Sequence, residues 1–194
     1  MNSLSAFAMA IVAVIVFIQL TRIGWPRFFR NLYTLALTTL WLGTVFFHAT
    51  LTEMGEWSDG LGLYAVILFF ICYLIGLCRQ WSYSLFTIIY VITVFSAGAF
   101  AWNFMHWRLM LFGTLVVAAV LTVVHCARHL QYSWRDLLLA LGAFVTGLIF
   151  QVLDNTLVLC SRFSLWQGHA LWHILAAAAT YWLALFMARA RLRV

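Results

Sequence analysis

An all-α membrane protein, a bundle of seven transmembrane helices, is the fold that the sequence predicts, and three observations carry it. Hydrophobic residues make up 66% of the 194 residues and charged residues 8%, which leaves too little polar surface to cover a soluble globule. The apolar residues fall into seven runs, each close to the roughly 17–25 residues a helix needs to cross about 30 Å of hydrocarbon. All eleven basic residues are arginine, and they gather in alternate connections between the runs.

The first run, 4–21, resembles the apolar part of a signal peptide in length. No basic residue precedes it, and Arg22, Arg27 and Arg30 follow, which suits an uncleaved helix that enters with its N-terminus outside. The second run, 30–51, carries His48 near its end. The third, 60–78, follows the polar segment WSDG, so Asp59 or its rival Ser58 is expected as the N-cap. The fourth, 82–102, leads into NFMHWR, where His106 between Trp102 and Trp107 reads as part of an interfacial aromatic belt. The fifth, 108–127, contains His125 and leads to His129. The sixth, 136–154, ends on Asp154, which has Arg162 or a turn N–H as candidate partners. The seventh, 168–188, opens on His169 and His173 and runs out into Arg189, Arg191 and Arg193.

Arginine placement orients the bundle. Arg22, Arg27, Arg30, Arg79, Arg128, Arg135, Arg189, Arg191 and Arg193 fall on one side and only Arg108 and Arg162 on the other. Under the positive-inside rule the N-terminus is expected outside and the C-terminus inside. The lack of lysine fits a GC-rich bacterial genome, so the expected location is a bacterial inner membrane with the outer ends facing the periplasm.

The connections are short and the one proline, Pro26, lies in the first inner loop, so the chain reads as a single domain, 1–194. The formal charge of +6 does not point to nucleic acid, because the arginines are dispersed over loops and tail rather than forming a patch. Cys72, Cys78, Cys126 and Cys160 have no C-x-x-C spacing, which argues against a disulfide framework and against thiolate zinc binding. The sequence leaves oligomeric state open.

His169 and His173 carry the functional argument. Residues four apart on a helix share a face, with Cβ atoms about 6 Å apart, so both imidazoles can reach one metal ion. On the predicted topology His48 and four of the five carboxylates lie at the same outer level: Glu53, Glu56, Asp59 and Asp154. Ionisable groups at membrane depth are costly and mark function more often than structure. Three neutral imidazoles with an open fourth position make a catalytic zinc site, and a nearby carboxylate can accept the proton of its water. Thr44, four residues before His48, shares its face; it either bonds back to the carbonyl of Leu40 or faces the site. A second pair at the same spacing, His125 and His129, sits among Arg128 and Arg135 at the inner end, where positive neighbours disfavour a cation. Gly98, Gly113, Gly142 and Gly147 either serve close helix packing or leave room for a lateral opening.

Two stretches resemble a known family. FFHATLTEMGEWSDGLGLY, with His48 eleven residues before Asp59, is similar to the F-H-A-T-L segment and following aspartate of the alkaline ceramidases; VLDNTLVLCSRFSLWQGHALWHILAA resembles their L-D-N and H-A-W-W-H-I-L ending. That family belongs to a superfamily of seven-helix hydrolases that includes adiponectin-receptor-like proteins. The resemblance implies a zinc-dependent amidase that cleaves ceramide, or a related N-acyl lipid, into a sphingoid base and a fatty acid. It implies His48, His169 and His173 as zinc ligands, Asp59 as the residue that holds or deprotonates the water, and Thr44, in place of the family's serine, as a catalytic hydroxyl near the metal or the oxyanion. The chain departs from the pattern in having no carboxylate before Glu53, where family members build a calcium site, and in having Gly60 where an acidic residue often follows the aspartate. Catalysis is therefore expected to need zinc and not calcium.

Two other classes share these features. A lipid receptor or sensor would hold a structural zinc, but structural sites are normally closed by four protein ligands. A proton or ion transporter would need polar residues crossing the bilayer, and here the acidic groups cluster at one face.

Overall fold

The computed structural model describes residues 5–156 and 168–193. Among these, seven α-helices follow one another: α1 (Phe7–Ile23), α2 (Arg27–Thr50), α3 (Glu53–Arg79), α4 (Tyr83–Asn103), α5 (Arg108–Cys126), α6 (Trp134–Asn155) and α7 (Gly168–Arg189). A 3-10 turn, Met105–Trp107, precedes α5 and carries His106. Six of the helices are long and apolar enough to cross a membrane, and α1, at 17 residues, is shorter. Outward faces of α4, α5 and α6 expose Ile92, Phe95, Leu109, Leu121, Val124 and Leu138, as lipid-facing surfaces do. The chain is thus an all-α bundle of the kind found in integral membrane proteins.

The expected helix boundaries are met within two or three residues, with one exception that matters. Helix α3 starts at Glu53 rather than near 60, and its N-cap is Thr52, whose hydroxyl accepts from the Gly55 N–H at 3.1 Å. Ser58 and Asp59 are therefore not caps; both lie in the second turn, and the Ser58 hydroxyl bonds back to Met54 O at 2.8 Å. By hydropathy the polar segment TEMGEWSDG reads as a loop. It is helical because Thr52 satisfies an orphan N–H and Glu53 and Glu56 sit at the positive end of the helix dipole.

Only Leu51 and Thr52 separate α2 from α3, with Leu51 in the left-handed region at φ 52. The two helices then run side by side at backbone distance. A Cβ on Gly43 would collide with the Ser58 carbonyl oxygen, and one on Gly62 would collide with the Leu40 backbone. The Trp57 indole donates to Gly98 O at 2.8 Å, pinning α3 to α4, and Arg108 pairs with Glu56 at 2.8 Å, pinning it to α5.

Arg22, Arg27, Arg79 and Arg189 lie at helix ends on the opposite side of the bundle from the histidines of α2 and α7. At that end a cluster of rings from α2, α3, α4 and the α1–α2 link fills the interior: Trp25, Tyr33, Phe69, Tyr73, Phe86 and Tyr90. Their polar tips are satisfied, Trp25 donating to the Tyr73 hydroxyl at 3.0 Å and Tyr33 to Thr180 O at 2.9 Å, which removes the cost of burying them. Asp136, fully buried, accepts from Arg189 at 2.7 and 3.0 Å and joins the start of α6 to the end of α7. Two short strands that the sequence did not suggest, β1 (Leu130–Gln131) and β2 (Arg191–Leu192), pair antiparallel and strap the tail onto the α5–α6 connection.

Candidate metal centre

The α2–α3 hairpin and the start of α7 bring the site together. His48 comes from the last turn of α2, His169 and His173 from the first two turns of α7. Nε2 of His48 lies 3.1 Å from Nε2 of His169 and 3.3 Å from Nε2 of His173. All three ligand atoms fall within 4.8 Å of one another, so the group can hold a metal ion.

Two physical arguments favour a cation at the centre. A zinc ion with Zn–N bonds of about 2.0–2.1 Å in a tetrahedral arrangement spaces its ligand nitrogens about 3.3–3.4 Å apart, close to both separations. Hydrogen bonding alone satisfies less, because Nε2 of a histidine offers either one hydrogen or one lone pair, whereas that of His48 faces two neighbours. A cation takes all three lone pairs together. The residues fit the group, and His125 and His129 do not form a comparable one. Their rings are 6.0 Å apart, and no third His, Cys, Asp or Glu joins them among the described residues.

Thr44 and Asp59 stand beside the triad on facing turns of α2 and α3. The Thr44 hydroxyl is 2.5 Å from Asp59 Oδ1 and 2.9 Å from Leu40 O, so the bond back to Leu40 is within reach and its other partner is Asp59. Its one hydrogen goes to one of these oxygens, which leaves it as an orienting group for the carboxylate. Asp59 is not part of the set of mutually close ligand atoms.

Asp154 takes the second of its two expected roles. Its Oδ1 accepts from the Gly168 N–H at 3.0 Å, capping α7 one residue before His169, and a side chain on Gly168 would collide with Phe150 O. Arg162, the alternative partner, and Cys160 lie outside the described residues. Glu56 is engaged with Arg108, and Glu53 occupies the first turn of α3. Cys72, Cys78 and Cys126 are free thiols.

Sequence reasoning missed Ser5. Its Oγ lies 2.8 Å from Nδ1 of His173 across 168 residues of sequence. A hydroxyl at the head of an apolar run was the only available signal.

A cavity of about 420 Å³ lies further along the helices that carry the triad, lined by residues within one or two turns of Thr44, Asp59 and His173 but by none of these three. Its wall includes Leu40, one turn before Thr44, Leu63 and Val66, one and two turns after Asp59, and Trp172 and Ala176 from the helix of His173. It passes between α5 and α6 towards Tyr132 and Trp134, and almost all of its lining is apolar. Of the four glycines considered for an opening, Gly98 and Gly147 pack against Leu61 and Trp172, whereas a Cβ added at Gly113 or Gly142 would meet nothing within 4 Å.

Neither protein-family models nor curated proteins include a match to this chain. The functional reading rests on the residues themselves.

Proposed function

We propose that the chain is a zinc-dependent amide hydrolase acting within the membrane on ceramide or a related N-acyl lipid. The observation that carries this reading is the combination of three convergent imidazoles, a carboxylate outside their ligand set, and an apolar cavity further along the same helices. When bound, zinc supplies an electrophile for the amide carbonyl and lowers the pKa of a water from about 15.7 towards about 7. His48, His169 and His173 would hold it. Asp59 takes the proton of the attacking water and delivers it to the leaving amine nitrogen. Thr44 orients the carboxylate of Asp59. The apolar lining of the cavity suits a hydrocarbon chain, and with it a lipid substrate.

The resemblance to alkaline ceramidases in the two stretches around His48–Asp59 and Asp154–His173 supports the same reading. The arginine asymmetry supports an outward-facing site in a bacterial inner membrane. Purified protein in lipid nanodiscs, given ceramide, is expected to release fatty acid in a zinc-dependent manner. Lipid binding without product release would favour a sensor instead.

A further inference from the structure

We propose that Ser5 is a positioning residue for the metal centre, fixing the ring orientation of His173 and so coupling helix α1 to metal binding. The inference rests on the metal-site reading above and adds a residue from a part of the chain that supplies no ligand.

His173 is the most enclosed of the three histidines, 3% exposed, whereas His48 and His169 are half-buried. Its two ring nitrogens face different ways. Nε2 points to the triad, 3.3 Å from Nε2 of His48, and Nδ1 lies 2.8 Å from Ser5 Oγ. A neutral imidazole carries one hydrogen. If Nδ1–H donates to Ser5 Oγ, the lone pair of Nε2 is released towards the centre; with the hydrogen on Nε2 instead, His173 could not ligate. A hydroxyl can pair with Nδ1 in either tautomer, so Ser5 holds the ring in place with Nε2 towards the centre and accepts the Nδ1 hydrogen when Nε2 binds a metal, as outer partners of metal-bound histidines generally do. Among the described residues, this is the one Nδ1 of the three with a hydrogen-bond partner.

Helix α1 is built to deliver this contact. It packs against α2 and α7 through Met9, Ala13, Val16 and Leu20, all buried. The helix begins with no side-chain cap at Ala6. Serine is a residue that commonly serves as such a cap; here, one position earlier, its side chain reaches the metal-ligand histidine instead. Docking of α1 and the geometry of His173 are consequently linked.

The test is metal affinity by competition with a chromophoric chelator, using zinc and, for its visible spectrum, cobalt, on wild-type protein and the Ser5→Ala and Ser5→Thr variants. Ser5→Ala is expected to weaken zinc binding about 10- to 100-fold, the usual effect of losing an outer hydrogen-bond partner, and to alter the cobalt spectrum. Ser5→Thr, which keeps the hydroxyl, is expected to retain affinity close to wild type. The thermal stability of the metal-free Ser5→Ala protein should match that of metal-free wild type, which separates positioning from folding. Equal affinities and identical cobalt spectra for Ser5→Ala and wild type would overturn the proposal while leaving the metal site intact. Failure of the wild-type protein to bind either metal would overturn the site itself.

Discussion

Thr44 and Asp59 meet at 2.5 Å across the α2–α3 interface, fifteen residues apart in sequence and one helix turn from His48. The contact exists because glycines at 43 and 62 let two helix backbones touch, so a hydroxyl on one and a short carboxylate on the other close the remaining gap. Aspartate is short enough to fit there, and a threonine at i−4 from His48 carries its orientation to the face that holds the ligand.

That dependence on backbone contact gives the first prediction. Gly43→Ala places a methyl against the Ser58 carbonyl and is expected to destabilise the protein by about 1–3 kcal/mol, the usual cost of overpacking, and to lower hydrolysis by displacing Asp59. Gly113→Ala, with open space at its Cβ, is expected instead to stabilise by about 0.5–1 kcal/mol, since alanine is the better helix former. Thermal unfolding in one detergent compares the two, and equal effects would mean that the α2–α3 contact is not tight.

Thr44→Val keeps shape and loses the hydroxyl. Misplacing a reacting group by about 1 Å can cost about 10²-fold, so Thr44→Val is expected to lose activity on that scale with zinc content unchanged, whereas Thr44→Ser stays near wild type. Turnover and metal analysis on the same preparations decide this. If Thr44→Val hydrolyses as well as wild type, the 2.5 Å contact has no role in orienting the carboxylate.

Asp59→Asn preserves volume and removes the base. Because Asp59 caps nothing and belongs to no ligand set, folding and zinc binding should survive while hydrolysis falls by about 10²-fold or more, within the range for a general base. Activity within a few-fold of wild type would remove Asp59 from the chemistry.

Orientation is tested apart from catalysis. A reporter fused after Val194 is expected in the cytoplasm, and one inserted at 157–163, between α6 and α7, outside, because nine of eleven arginines favour the other end. The reverse pattern would place the histidine triad at the inner face.

Much of this is legible in the chain. Hydropathy locates the helices because a bilayer imposes length and apolarity on each segment separately, and the i, i+4 spacing of His169 and His173 needs nothing beyond a helix to be read. The start of α3 escapes it because helix caps and dipole effects act on polar residues that hydropathy counts as loop; Thr52, not Asp59, closes that end. Ser5 and the close contacts at Gly43 and Gly62 depend on which helices are neighbours, and a pattern along one segment carries no information about the packing of two. The strap formed by Leu130–Gln131 and Arg191–Leu192 is hidden for the same reason.

The central claim is that His48, His169 and His173 hold one catalytic zinc, and metal content measured by mass spectrometry on purified wild-type, His173→Ala, His125→Ala and His129→Ala proteins tests it most directly. About one zinc per chain is expected in wild type, as a three-histidine site requires, with most of it lost in His173→Ala and none lost in the other two. Full zinc retention by His173→Ala, or a wild-type protein that takes up no zinc when it is added back, would contradict the account.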